Sequence, residues 1–298
     1  MFDKVLKKAI LKTREELHSQ VQKDYQERII PDDVIITSDI PYMSGQYHGI
    51  DMYVPKNMKS NMPALIDIHG GGLVMGIKEQ NYDFCVNMAR AGYIVFAMDY
   101  SLVPEVGVLT QLQEIRCACD VINDKLQGME QFGGSIYAVG DSAGGFLLMY
   151  TLAIKGSANI SSAYGISPIP FEVKAATFQN AMFYSTRKDK IGLLTKYFYG
   201  KGYKKKPFYK YVNPENEELI NSLPPFMMFT TVNDFLRKYT VDFGKAVKKV
   251  RTDVVYKDYD YKSMEHAFAA TKPNMPECQM VNKDMLDYFS IYDDMTNK

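Results

Sequence analysis

Between residues 135 and 154 the chain reads SIYAVGDSAGGFLLMYTLAI, an apolar strand-like run that passes through Gly140-Asp141-Ser142-Ala143-Gly144 into an apolar helical pattern. G-x-S-x-G in that setting is a sharp strand-to-helix turn that presents a serine hydroxyl on strained backbone, and its crowding demands small neighbours. A serine there also sits at a helix N-terminus, where free N–H groups and the helix dipole stabilise a nearby anion. The same five residues could equally form a glycine-rich turn with a capping serine. Nucleophilic chemistry therefore requires a base and an orienting partner elsewhere in the chain.

A serine hydroxyl becomes a useful nucleophile when a histidine removes its proton, and that histidine needs a carboxylate to hold its tautomer and stabilise its charged form. On this kind of turn the chain order is serine, acid, histidine. Of His18, His48, His69 and His266, only His266 follows Ser142. It lies in YDYKSMEHAFAATKP, just after the last expected strand. The strand PFMMFTTV is followed by Asn233-Asp234, which puts Asp234 at the carboxyl edge of the sheet, 32 residues before His266. Asp242, Asp253, Asp258 and Asp260 also precede His266 but fall in the next helix or around the last strand. Asp234 is the best-placed acid, and its alternative role is to cap a helix beginning near Phe235.

LIDIHGGGLVMG, residues 65–76, ends an apolar run in three glycines that each cost conformational entropy on folding. Attack by Ser142 on a carbonyl creates an oxyanion, which needs preorganised N–H donors unobstructed by side chains. Gly71 and Gly72 supply such donors after the third strand, and the N–H of Ala143, following the nucleophile, completes the set. His69 then shapes the loop rather than acting as a base.

Together these residues resemble the hormone-sensitive-lipase-like family of α/β-hydrolase carboxylesterases over about residues 45–275. The likeness rests on HGGG at 69–72, DYSLVPE at 99–105, GDSAGG at 140–145, LPPFMMFTTVNDFLRK around Asp234 and HAF at 266–268. It implies an eight-stranded sheet and a cap built from about 1–30 and about 165–222. The sequence departs from the family at three places. Ala267 stands where glycine commonly follows the histidine, Ser101 stands where arginine is frequent, and the cap segments match poorly, which leaves the substrate unread.

Strand patterns of β-branched and aromatic residues occur at DVIITSDI, HGIDMYVP, PALIDIHG, YIVFAMDY, SIYAVG, PFMMFTTV and DVVYKDY. Helical patterns such as QNYDFCVNMARAG and LTQLQEIRCACDVINDKLQ alternate with them, which implies an α/β fold with a mostly parallel sheet covered on both faces. Residues 1 to about 30 carry Phe2, Leu6, Ile10, Leu17 and Val21 at helical spacing beside a Lys/Glu face. The stretch from 165 to 222 is longer than a crossover needs and reads as an insertion. Within it KYFYGKGYKKKPFYKY, residues 196–211, reads as aromatics packed inward with solvated lysines.

The 298 residues are 46% apolar and 23% charged, and 35 basic residues balance 35 acidic ones. That balance argues against nucleic acid or an anionic membrane as a partner. The N-terminus lacks the apolar core of a secretion signal, so a cytoplasmic protein is expected. Cys85, Cys117, Cys119 and Cys278 show no metal-ligand spacing and read as reduced thiols. The expectation is a single α/β-hydrolase domain over 1–298 that hydrolyses small, short-acyl esters through an acyl-enzyme without metal or organic cofactor. An amidase or peptidase on the same machinery, a non-catalytic small-molecule receptor and a homodimer remain open.

Overall fold

All seven expected strands form in the computed structural model, which describes residues 2–294. Met1 and residues 295–298, the ends of the expected single-domain span, lie outside the described residues. The strands are β1 (Val34–Pro41), β2 (Gly49–Pro55), β3 (Met62–Ile68), β4 (Ile94–Met98), β5 (Phe132–Asp141), β6 (Ala175–Gln179), β7 (Phe226–Thr231) and β8 (Val254–Tyr259). They make one sheet in the order β1-β2-β4-β3-β5-β6-β7-β8. The β1–β2 and β2–β4 pairs are antiparallel and the rest parallel.

The side-chain period of two sends neighbouring residues to opposite faces. Leu65, Val95 and Val139 pack with Phe84 and Met88 of helix α2 (Tyr82–Arg90) and with Val281 and Phe289 of the C-terminal helix Pro276–Asp294. Ile66, Phe96 and Ala138 pack on the other face with α3 (Val108–Gln127) and α4 (Ser142–Gly156). Burial on both faces makes β4, β6 and β7 wholly apolar or buried along their length, as parallel strands require.

The eighth strand, β6, lies inside the stretch read as an insertion from 165 to 222, so part of that stretch belongs to the sheet. Its residues AATFQ hold only Thr177 and Phe178 as strand formers, too short a run to mark a strand beside two alanines that form strands weakly. Their position is set by tertiary pairing, with Tyr137 opposite Ala175 and Ala176 opposite Phe226. The excursion from the sheet therefore begins after Gln179. Within it Phe198, Phe208 and Tyr211 are buried while Lys201, Lys204, Lys205 and Lys206 are exposed.

The N-terminal segment forms one helix, α1 (Phe2–Gln26). Ile10 is buried on its inner stripe, and so is Arg14, one turn further on. Among the described residues no helix is long and apolar enough to cross a membrane.

Candidate active site

At the junction of β5 and α4, Ser142 adopts φ +50°, a left-handed conformation rare for residues other than glycine. The turn is tight enough to need its glycines. A Cβ on Gly140 would fall 2.7 Å from the backbone of Gly144, and one on Gly144 would fall 1.8 Å from the Ile68 carbonyl oxygen.

His266, on the loop after β8, places Nε2 2.8 Å from Ser142 Oγ and Nδ1 2.6 Å from Asp234 Oδ1. Asp234 is buried, and its second oxygen accepts from Asn180 Nδ2 and Thr230 Oγ1, both at 2.8 Å. Burial alone would raise this carboxyl, but hydrogen bonds from His266, Asn180 and the Leu236 N–H outweigh it and hold the group below the usual carboxylate range. The helix that follows begins at Arg237 with Leu236 at its N-cap and takes no side-chain cap bond, so the alternative capping role of Asp234 is not the one seen; the Leu236 N–H bond instead closes a turn ahead of the helix. Three of the other acids are engaged elsewhere: Asp258 with Arg237, Asp253 with Arg251, and Asp242 with Lys238 and Arg187. Asn180 and Thr230 were not legible as site residues. Asn180 follows the missed strand β6 and, at φ +48°, turns the chain so that its amide meets Asp234.

The loop after β3 carries Gly71 at φ +119° and Gly72 at φ +63°, and a Cβ on Gly71 would lie 1.9 Å from the Met75 carbonyl oxygen. Among the described residues no hydrogen bond runs from the Gly71 or Gly72 N–H to another group. Ala143 lies in the first turn of α4, where N–H groups lack intrahelical acceptors. Behind the loop, Asp141 Oδ1 accepts from Gly70 N and from Asn81 Nδ2, both at 3.0 Å, and the same amide nitrogen is 3.0 Å from Asp67 Oδ2. Burial and then the neighbouring Asp141 charge push Asp67 far above the usual carboxylate range.

His69 is buried at the base of this loop, stacked on Tyr100 at 4.4 Å, with Nδ1 2.7 Å from the Gly70 carbonyl oxygen. Burial lowers its pKa to about 4, so the neutral ring donates Nδ1–H to that carbonyl. Nearby, buried Lys78 meets Asp39, Glu79, Asp99 and Asp51 within 3.5 Å. Arg14 reaches across from α1 to the Val74 and Val103 carbonyls and the Glu105 carboxylate, so the N-terminal helix is tied to the far end of the glycine loop.

Gly71, Gly72, Ser142 and His266 line a cavity of about 630 Å³, walled by Leu17 of α1 and Phe198 of the excursion after β6. Two of the family departures have local answers. Ser101 joins a polar cluster in which its N–H donates to Glu114 at 2.7 Å and its hydroxyl lies 3.3 Å from His48 Nε2. Ala267 occupies φ +54°, the region in which glycine carries no Cβ penalty.

A profile of the alpha/beta hydrolase fold matches residues 65–270. The chain belongs to this family, in the hormone-sensitive-lipase-like group that its motifs resemble. Among individual relatives of this α/β hydrolase, the kynurenine formamidase of Salmo salar is 26% identical over 142 residues, 44% of this chain and 47% of that protein. The chain thus spans about half the length of the relatives it matches. Esterase B from Lactobacillus rhamnosis HN001 superposes with a TM-score of 0.88 at 21% identity, covering 100% of this chain and 98% of that one. A second structure of esterase B, inhibited by a C4-C4 tributyrin phosphonate, gives 0.88 at 21%, over 99% and 97% of the two chains. At that identity the likeness to esterase B is one of fold.

Proposed function

We propose that this α/β hydrolase is a serine carboxylesterase for small, short-acyl esters. Ser142 Oγ attacks the ester carbonyl carbon while His266 Nε2 takes the hydroxyl proton, and Asp234 holds the Nδ1–H tautomer and stabilises the imidazolium. The tetrahedral oxyanion takes hydrogen bonds from the Gly71, Gly72 and Ala143 N–H groups. The carbon–oxygen bond to the alcohol then breaks, with His266 returning the proton to the departing oxygen. Water activated by His266 releases the acid from the acyl-enzyme. Every step draws on groups of the chain itself.

The observation that carries this reading is the continuous contact from Ser142 through His266 to Asp234, opposite a glycine loop with uncommitted N–H groups. α1 and the excursion after β6 serve as the cap that closes the cavity. A cavity of about 630 Å³ suits a small ester, and esterase B, of the same fold, was captured with a tributyrin phosphonate. Its ligands would be soluble esters rather than lipid surfaces.

Labelling by a fluorophosphonate and turnover of 4-nitrophenyl butyrate test the assignment together. Ser142→Ala should abolish labelling and lower kcat by about 10³-fold or more. Near-normal turnover in that variant would overturn it. A second reading, hydrolysis of formamides or other amides, is favoured by the kynurenine formamidase relative. A matched pair of phenyl formate and formanilide separates the two by which kcat/KM is larger.

A further inference from the structure

In the proposed mechanism the alcohol half of the ester lies beside His266, because Nε2 must deliver its proton to the departing oxygen. The side chain facing that ring is Phe235. Its ring centroid is 4.3 Å from that of His266 with the planes at 47°, and it lines the same cavity as Ser142. The ring is 73% exposed, so its apolar surface is largely uncovered by protein.

The backbone that carries this ring is anchored on both sides. Asp234, before it, donates its N–H to the Thr231 carbonyl, and buried Leu236, after it, donates its N–H to Asp234 Oδ1. Phe235 is therefore pinned between two anchored neighbours, at the entrance to the His266 side of the site. A platform held in place before binding loses little conformational entropy when a ligand covers it. Its flat π-face rewards an aromatic partner in offset or edge contact beyond what the same buried area returns from an aliphatic group. Resting on the serine esterase reading, we infer that Phe235 forms the alcohol subsite and selects esters of aromatic alcohols.

Phenyl, cyclohexyl and ethyl butyrate share one acyl group and differ only in the alcohol. The ratios of kcat/KM among them report formation of the acyl-enzyme, free of the common deacylation step. In Phe235→Ala the phenyl-to-ethyl ratio should fall about three- to tenfold relative to the unmodified protein, and the phenyl-to-cyclohexyl ratio at least about twofold. Phe235→Tyr should restore both. Fluorophosphonate labelling of Ser142 in Phe235→Ala reports that the variant is folded. Unchanged ratios would overturn the inference, and a fall shared equally by phenyl and cyclohexyl esters would overturn its aromatic selectivity. Failure of the esterase reading looks different: the unmodified protein would hydrolyse none of the three esters and Ser142 would not react.

Discussion

Asp141, the residue before the nucleophile, accepts a 3.0 Å hydrogen bond from the Gly70 N–H, 71 positions earlier in the chain. The serine turn and the glycine loop are thereby locked to each other, and Asn81 extends the lock to Asp67. Removing Asn81 would leave two buried carboxyl groups facing each other without the amide that separates them. We expect Asn81→Ala to lower unfolding stability by about 1–3 kcal/mol and to depress kcat for butyrate esters more than it raises KM. Urea denaturation and steady-state kinetics check it; unchanged stability with unchanged kcat would show that the bridge does not brace the loop.

Asp234→Asn should keep the fold, because the neutral amide still fills the site beside Asn180 and Thr230, while reversing the hydrogen-bond preference at His266 Nδ1. A kcat loss of about 10³- to 10⁴-fold is expected. Asp258, bound to Arg237 on the surface, supplies the control. If Asp258→Asn were the crippled variant and Asp234→Asn the active one, the acid would be misassigned.

The carboxyl of Asp99 is driven up to about 7 by burial, an effect only partly offset by Lys78. The folded protein then holds a proton that the unfolded chain releases near pH 4, so this group makes folding less favourable as pH climbs from about 4 to about 7. Lys78, raised by the carboxylates around it, stays charged throughout that window. Asp99→Asn should therefore gain stability relative to the unmodified protein as pH rises across it. Chemical denaturation at pH 4.5, 5.5 and 6.5 gives the slope; a flat or opposite difference rules the effect out.

At Ala267, φ +54° imposes roughly 1–2 kcal/mol on a residue with a Cβ, while glycine costs about 0.5–1 kcal/mol in unfolded-state entropy. Ala267→Gly should come out neutral to about 1 kcal/mol more stable, and Ala267→Val clearly less stable because a β-branched side chain fits that region worst. Thermal melts of the pair decide it, the order Val above Gly being the contrary result.

Across a 4-nitrophenyl ester series, acyl groups from acetyl to about hexanoyl should be hydrolysed much faster than palmitoyl. Interfacial lipases depend on a broad apolar area that can face lipid. Here Lys201, Lys204, Lys205 and Lys206 of the excursion after β6 stay in water while Phe198, Tyr199, Phe208 and Tyr211 turn inward. A rate that peaks at long chains, or rises sharply when the substrate forms an emulsion, would favour a lipase.

That Ser142, His266 and Asp234 meet could be read because chain order left few choices: one histidine follows Ser142, and of the aspartates between them Asp234 lies just past the carboxyl end of β7, the strand before the last. Seven strands could be read because β-branched and aromatic runs mark them. β6 could not, since Ala175 and Ala176 hold their places by pairing with β5 and β7 rather than by their own preference, and Asn180 was lost with it. Arg14 was hidden for another reason. A guanidinium on an otherwise charged helix looks solvated until the carbonyls of Val74 and Val103 are known to wait beneath it.

That clamp also sets an order of events during synthesis. α1 leaves the ribosome before the groups Arg14 grips, which are encoded 60 to 91 residues later. At about 5–20 residues per second, the helix spends roughly 3–18 s without its docking partners. Through that interval the helix waits for the glycine loop it will cover, and Arg14 can close on Val74, Val103 and Glu105 before Ser142 and His266, the residues the cavity will serve, have been made.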